Sequence, residues 1–341
     1  MDLKAIIYSY KLYNFNISKD LSHIVASGPM LYIGDLNNKT LAKVKIDKAN
    51  YYTLFSDDNS SVTVKSDYSY FSLSDGFQEK KTLLKKNNSE DTFVGEKPLV
   101  YKNSAFAFVM ENENNEISSD NSITALYQIK EGKKYRLWEF KNRLLRDSKI
   151  YNNVLYAAFH GIPGENAHNI SVYMRNLING EENRVDFCYK NSGMLLAMAI
   201  VPQKEILVSL HIFGTYLKEE YLLLRFTSLS TSAILHEEKL FVHSFSPAIE
   251  VLCNGKYVVF AHRNGLMVFN TEDYTLEKEV YLPMIISLTA CDNDNYCYAY
   301  SYDDMVAFTP TQSPENDELI KKIEDLFRSN GLNRLINQRN G

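Results

Sequence analysis

The residues best suited to chemistry in this chain are few and widely spaced. In the run HGIPGENAH, His160, Glu165 and His168 offer two imidazoles and a carboxylate, donor types that a transition metal accepts. Their spacing is not that of two histidines one turn apart on a helix, and Gly161, Pro163 and Gly164 mark a loop, so a solvated connection without metal is expected. The run Asp292-Asn293-Asp294-Asn295 opens like the alternating oxygen ligands of a calcium loop. Cys297 then stands where the turn glycine belongs and Asp303 where the bidentate glutamate belongs, which leaves a polar hairpin turn with Cys291 and Cys297 on the flanking strands, where the two thiols can face each other. There is no glycine-rich phosphate cradle, no GxSxG elbow and no Cys-His pair at a catalytic spacing. The histidines and cysteines read as scattered by composition, and the chain reads as a non-enzyme without a cofactor.

The C-terminal segment carries a second kind of chemistry. From Ser313 the sequence turns helical, with Leu319, Ile320, Ile323, Leu326 and Phe327 on one stripe, Ser313 as N-cap, Pro314 in the first turn and Gly331 as terminator. Beyond Phe327 stand Arg328, Arg334 and Arg339 among Asn333 and Gln338, with no acidic side chain. Guanidinium forks suit phosphate and carboxylate, and amides suit base edges or backbone groups. Arg328, Asn333, Arg334, Gln338 and Arg339 are therefore the expected partner-binding residues, with RNA one possible acceptor, while the helix docks through its apolar stripe.

The elements that must position these groups are strands. From residue 3 to about 310, short runs of β-branched and aromatic residues alternate in period two and are separated by Asn, Asp, Gly and Ser clusters. Seven anchors begin at Leu31, Tyr70, Ile123, Ile170, Tyr221, Leu266 and Asp304, spaced by roughly forty to fifty residues, the period of a four-stranded blade. The stretch from Gly255 to Leu282 shows the grammar: KYVVFAH, a turn RNG, LMVFN, a turn TEDY, then LEKEVYL. The last unit ends early after DMVAFTP, and Lys4–Ile17 is a strand-like surplus at the start, able to complete it and so remove an open sheet edge.

On these units the chain resembles the β-propeller superfamily, and more loosely the WD-repeat proteins, although the Gly-His and Trp-Asp signatures are missing and the sole Trp138 precedes Glu139. The fold expected is all-β, a seven-bladed propeller over residues 1–311 closed by N-terminal strands, with a short helix and basic tail over 312–341. The resemblance implies a platform for other proteins or ribonucleoproteins.

Bulk properties narrow the classes. A net charge of −5 argues against a surface that is basic throughout. The most apolar stretch, Met194 to Val201, is too short to span a bilayer, and the early charges leave no secretory core. Four cysteines without ligand spacing suit a reduced cytoplasmic setting. The expectation is a monomeric, cytoplasmic, non-catalytic interaction or scaffold module, with an RNA- or ribosome-associated factor and a propeller enzyme using the central channel as alternatives. Elemental analysis of the purified protein should show no stoichiometric transition metal; one zinc per chain would contradict this and point first to His160 and His168.

Overall fold

The computed structural model describes residues 7–9, 14–28, 30–45, 51–66, 69–85, 92–102, 104–112, 122–161, 169–188, 193–213, 221–241, 248–262, 264–282, 285–301, 305–311 and 314–332. The alternating runs become strands β1 (Ile7–Ser9), β2 (Asn14–Ile17), β3 (His23–Ser27), β4 (Leu31–Asp35), β5 (Thr40–Val44), β6 (Tyr51–Phe55), β7 (Val62–Ser66), β8 (Ser69–Ser74) and β9 (Glu79–Lys85). Then come β10 (Thr92–Tyr101), β11 (Ser104–Asn112), β12 (Ser122–Lys130), β13 (Lys133–Lys141), β14 (Arg143–Tyr151), β15 (Val154–Gly161), β16 (Asn169–Asn176), β17 (Glu182–Cys188), β18 (Met194–Val201), β19 (Ile206–Phe213), β20 (Tyr221–Ser228) and β21 (Ile234–Leu240). The last are β22 (Ala248–Leu252), β23 (Tyr257–His262), β24 (Gly265–Asn270), β25 (Leu276–Tyr281), β26 (Ile285–Ala290), β27 (Cys297–Ser301) and β28 (Met305–Phe308), followed by α1 (Pro314–Ser329).

Two compact units result, one of residues 1–82 and 244–341 and one of residues 83–243. The first holds β2-β3-β4-β5, β22-β23-β24-β25, most of β6-β7-β8-β9, and a sheet in the order β1-β28-β27-β26. The second holds β10-β11-β12-β13, β14-β15-β16-β17 and β18-β19-β20-β21. Six of these sheets are four-stranded meanders and the seventh adds β1 to a meander of β26, β27 and β28, and the chain has a β-propeller architecture with one short C-terminal helix. Strand β1 pairs with β28, Ile7 opposite Ala307, so a strand from the N-terminal stretch completes the last sheet. The rest of that stretch does otherwise than expected. Asn14–Ile17 is the first strand of its own sheet, because Phe15 and Ile17 are fully buried in the core it shares with Tyr296, Tyr298 and the helix.

Burial grades across each sheet. Inner strands such as β15, VLYAAFHG, and β24, GLMVFN, are buried along most of their length, while the fourth strands β9, β13, β21 and β25 carry exposed lysines and glutamates. Charge on an unpaired edge keeps it from adding another chain. In the second unit Phe106, Phe108, Phe140 and Phe159 fill one layer between sheets, and Ala158, Ile170, Phe187, Leu195, Met198 and Leu207 fill the next. Each fully buried Phe or Leu of this kind contributes about 1.5–3 kcal/mol through lost apolar exposure.

Helix α1 docks as its stripe requires, with Leu319, Ile323, Leu326 and Phe327 buried against the sheet of β2 and the sheet of β27. Tyr296 donates to Asn316 Oδ1 at 2.6 Å, and Lys39 reaches Asp325 at 3.6 Å. Gly331, at φ 72°, ends the helix, and the N–H of Leu332 returns to the carbonyl of Phe327 at 2.9 Å. The approach is close enough that a Cβ on Gly34 of β4 would collide with Cδ2 of Leu326. Gly34→Val should therefore destabilise the protein by about 1–3 kcal/mol through overpacking, read as a lower midpoint in urea; an unchanged midpoint would contradict this docking.

Candidate active site

The densest chemistry among the described residues lies in the second unit, at one end of the layer between sheets β14–β17 and β18–β21. Cross-strand register sets two rows there. Leu144, His160, Ile170 and Phe187 stand opposite one another across the first sheet. Leu195, His211, Leu223 and Lys239 do the same across the second. Ile170, Phe187 and Leu195 share one core cluster, so the two rows face each other, and each brings in an imidazole. His160 and His211 are only 6% and 2% exposed. The ring of His211 has Ser209 Oγ at 2.9 Å from Nε2, whereas Nε2 of His160 has no hydrogen-bond partner. A buried imidazole nitrogen left unpaired costs stability and is a candidate for a functional role.

Strand β14 supplies the charge. Its register against β15 slips between Leu145 and Asp147, leaving Arg146 as the extra residue of a bulge. Bulges of this kind re-aim a side chain out of the ladder. Arg146 is exposed as a residue, yet the surrounding protein desolvates its guanidinium and lowers its pKa from the usual value. Just past the bulge, Asp147 Oδ2 accepts the N–H of Ile200 at 2.7 Å and Lys149 Nζ donates to the carbonyl of Ile200 at 3.1 Å. Asp147 and Lys149 also pair with each other at 3.2 Å. This clamp fixes β14 against β18 and thereby the place from which Arg146 projects.

Arg143 and Arg146 act on His160. Burial first, and then the charges of Arg146 and Arg143, push the imidazole pKa down to about 4, with the carbonyl of Gly161 opposing the shift. His160 is neutral near pH 7 as a result.

Of the residues singled out in sequence, His160 is in this site, and Glu165 and His168 lie outside the described residues. Among the described residues no group of three His, Cys, Asp or Glu side chains could hold a metal ion. The Asp292 run forms a turn whose side chains brace neighbouring strands: Asp292 accepts the N–H of Phe55 at 2.7 Å, and Asn293 donates to the carbonyl of Lys19, also at 2.7 Å. Cys291 and Cys297 enter different core layers and do not face each other, which corrects that expectation. Arg328 sits at the end of α1, exposed, 3.8 Å from Glu324. Asn333, Arg334, Gln338 and Arg339 lie outside the described residues.

The histidines are not scattered. VLYAAFH, ILVSLH and YVVFAH place His160, His211 and His262 at one equal spacing, each at or near the end of the second strand of its sheet. His262 is also buried, with Nε2 3.7 Å from Glu279. That recurrence was visible in the sequence as a histidine closing an otherwise apolar run, and reading for metal spacing passed over it. Arg146 gave no such signal.

No protein-family model matches the chain, and no curated protein matches it in sequence. Solved structures do match in fold. An oligogalacturonate lyase in complex with manganese is 11% identical, covers 92% of this chain and 92% of its own, and has a TM-score of 0.65. The oligogalacturonate lyase of Vibrio parahaemolyticus is 11% identical over 90% and 92%, with a TM-score of 0.60. The hydrazine synthase of Kuenenia stuttgartiensis is 12% identical over 89% and 97%, with a TM-score of 0.61. These likenesses establish the fold. They also overturn the expectation of a non-catalytic scaffold and of a non-enzyme, because that expectation took a propeller without linear motifs to be a platform, and these enzymes are built on the same fold. The scaffold and ribosome-associated readings have no finding behind them.

A pH dependence follows from His160. Its pKa is about 4 when folded and near 6.5 in an unfolded chain, so the unfolded chain takes up the proton first. The stabilising contribution of the neutral ring is complete above pH 6.5 and is lost as pH falls from there toward 4, by about 3 kcal/mol in all. Urea unfolding across that window should show a shallower loss of stability for His160→Gln than for the native chain; equal slopes would contradict the shift.

Proposed function

We propose that this chain is an enzyme acting on an anionic, carboxylate-bearing carbohydrate, with its site at Arg143, Arg146 and His160. The observation that carries this reading is the unpartnered Nε2 of buried His160 beside two guanidiniums, one of them set out on a bulge. Arg146 binds the carboxylate, since a planar fork matches its two oxygens. The bound anion offsets the positive charge that depresses the imidazole, so His160 becomes a better proton acceptor once substrate is in place. A proton taken from the carbon next to the carboxylate leaves charge on the carboxylate oxygens, where the guanidinium stabilises it. The oligogalacturonate lyases among the fold matches support uronates as the first class to try, because each galacturonate ring carries one carboxylate.

The seven four-stranded sheets and the β1–β28 pair support a seven-bladed ring closed by the N-terminal strand. Four cysteines outside any disulfide support a cytoplasmic protein, and no helix among the described residues is long and apolar enough to cross a membrane.

In an elimination at a uronate the carbon next to the carboxylate gives its proton to His160. The carbon–oxygen bond to the neighbouring sugar at the adjacent carbon breaks, and the departing oxygen takes a proton from water. This leaves a carbon–carbon double bond conjugated to the carboxylate, which absorbs in the ultraviolet. Incubation with oligogalacturonate should therefore raise absorbance, and His160→Ala and Arg146→Ala should each lower the rate by about 10²–10⁴-fold while keeping the native melting transition. A native chain inactive on uronates, together with anion binding that Arg146→Ala leaves unchanged, would overturn the reading.

A further inference from the structure

Sheet β18–β21 carries a row of rings one step beyond the row of His211, on the same face. Phe213 and Tyr221 are a cross-strand pair, stacked with centroids 5.2 Å apart and planes 2° apart. Leu222 opposes Leu240, which sets Phe241 beside Tyr221, with ring centroids 6.3 Å apart. Gly193, at φ 70°, lies against Phe213, where a Cβ would meet the Ile212 carbonyl and come within 3.1 Å of the ring. Lys239, from the row of His211, holds Nζ 5.1 Å from the centroid of Tyr221.

The row ends in water. Phe241 is 74% exposed, and Met194, on the first strand at the same end, is 63% exposed. Cross-strand aromatic pairs stabilise sheets, but the fold does not require three rings here. In sheet β22–β25 the third strand opens at Gly265, which has no side chain and stands between His262 and Tyr281. An aromatic row that ends in an exposed ring, with a cation at its flank, is chemically specific. The C–H face of a pyranose is apolar and covers a ring of this size, while a carboxylate on the same sugar meets an ammonium.

We propose that Phe213, Tyr221 and Phe241 form a sugar-stacking platform, a second subsite that takes a further ring of an oligosaccharide whose carboxylate is held at Arg146. The inference rests on the reading of the chain as an enzyme of uronate-bearing carbohydrates, and it specifies an oligomer over a single sugar. Lys239 answers the carboxylate of the stacked unit. Phe241 contributes most, because it has the most surface to cover and its loss disturbs the sheet least.

Calorimetric titration with galacturonate, short oligogalacturonates of increasing length and neutral xylo-oligosaccharides tests this. The native chain should bind longer oligogalacturonates more tightly than galacturonate. Phe241→Ala should bind galacturonate as the native chain does and longer chains about five- to tenfold more weakly, whereas Arg146→Ala should lose every length. If Phe241→Ala binds all lengths like the native chain, the platform is refuted while the anion site stands. If only neutral oligosaccharides bind, and Phe241→Ala weakens them, the platform stands and the uronate reading fails. Binding of neither class overturns both.

Discussion

The first strand of each sheet is hydrogen-bonded to a neighbour in its own sheet on one side only. A row of its backbone N–H and C=O groups faces away from that sheet and needs other partners. Side chains from the adjacent first strand meet part of this need. In the second unit Asp147 and Lys149 take up both backbone groups of Ile200. In the first, Asn16 donates to the carbonyl of Thr53 and accepts the N–H of Asp292, whose carboxylate accepts the N–H of Phe55. Polar residues in otherwise apolar strands are thus part of what holds neighbouring sheets in register.

The same constraint shapes the site. On β14 the clamp residues occupy the positions that meet β18, and the bulge places an extra residue between Leu145 and Asp147 that the ladder does not use. Arg146 is that residue. A charged group can be kept there because it reaches water, whereas one step away His160 is enclosed and must stay neutral. The charges of Arg146 and Arg143 both oppose protonation of this imidazole, and a bound anion would offset them.

Much of the fold was legible because it rests on local rules. The anchors at Leu31, Tyr70, Ile123, Ile170, Tyr221 and Leu266 fall on or within one residue of the starts of β4, β8, β12, β16, β20 and β24, and the seventh leads into β28: all are third strands of their sheets. The helical stripe docks as read, since Leu319, Ile323, Leu326 and Phe327 have no other place for their apolar area. The site was not legible in the same way. RLLRDSKIY of β14 looks like a polar connection, because its charges answer backbone groups on another sheet. Arg146 and His160 meet only through strand pairing and a bulge, neither of which leaves a fixed spacing in the chain. The Asp292 run forms a turn between β26 and β27, and Asp292 accepts the N–H of Phe55 on another sheet.

The neutral imidazole of His160, whose Nε2 has no hydrogen-bond partner and whose protonation the charges of Arg146 and Arg143 oppose, is the centre on which the functional reading turns. Following its ring resonances by NMR against pH, with and without galacturonate, addresses it directly. The expected result is a midpoint near 4 in the free protein that moves upward when galacturonate is added. A midpoint at the ordinary histidine value, unmoved by galacturonate, would contradict it.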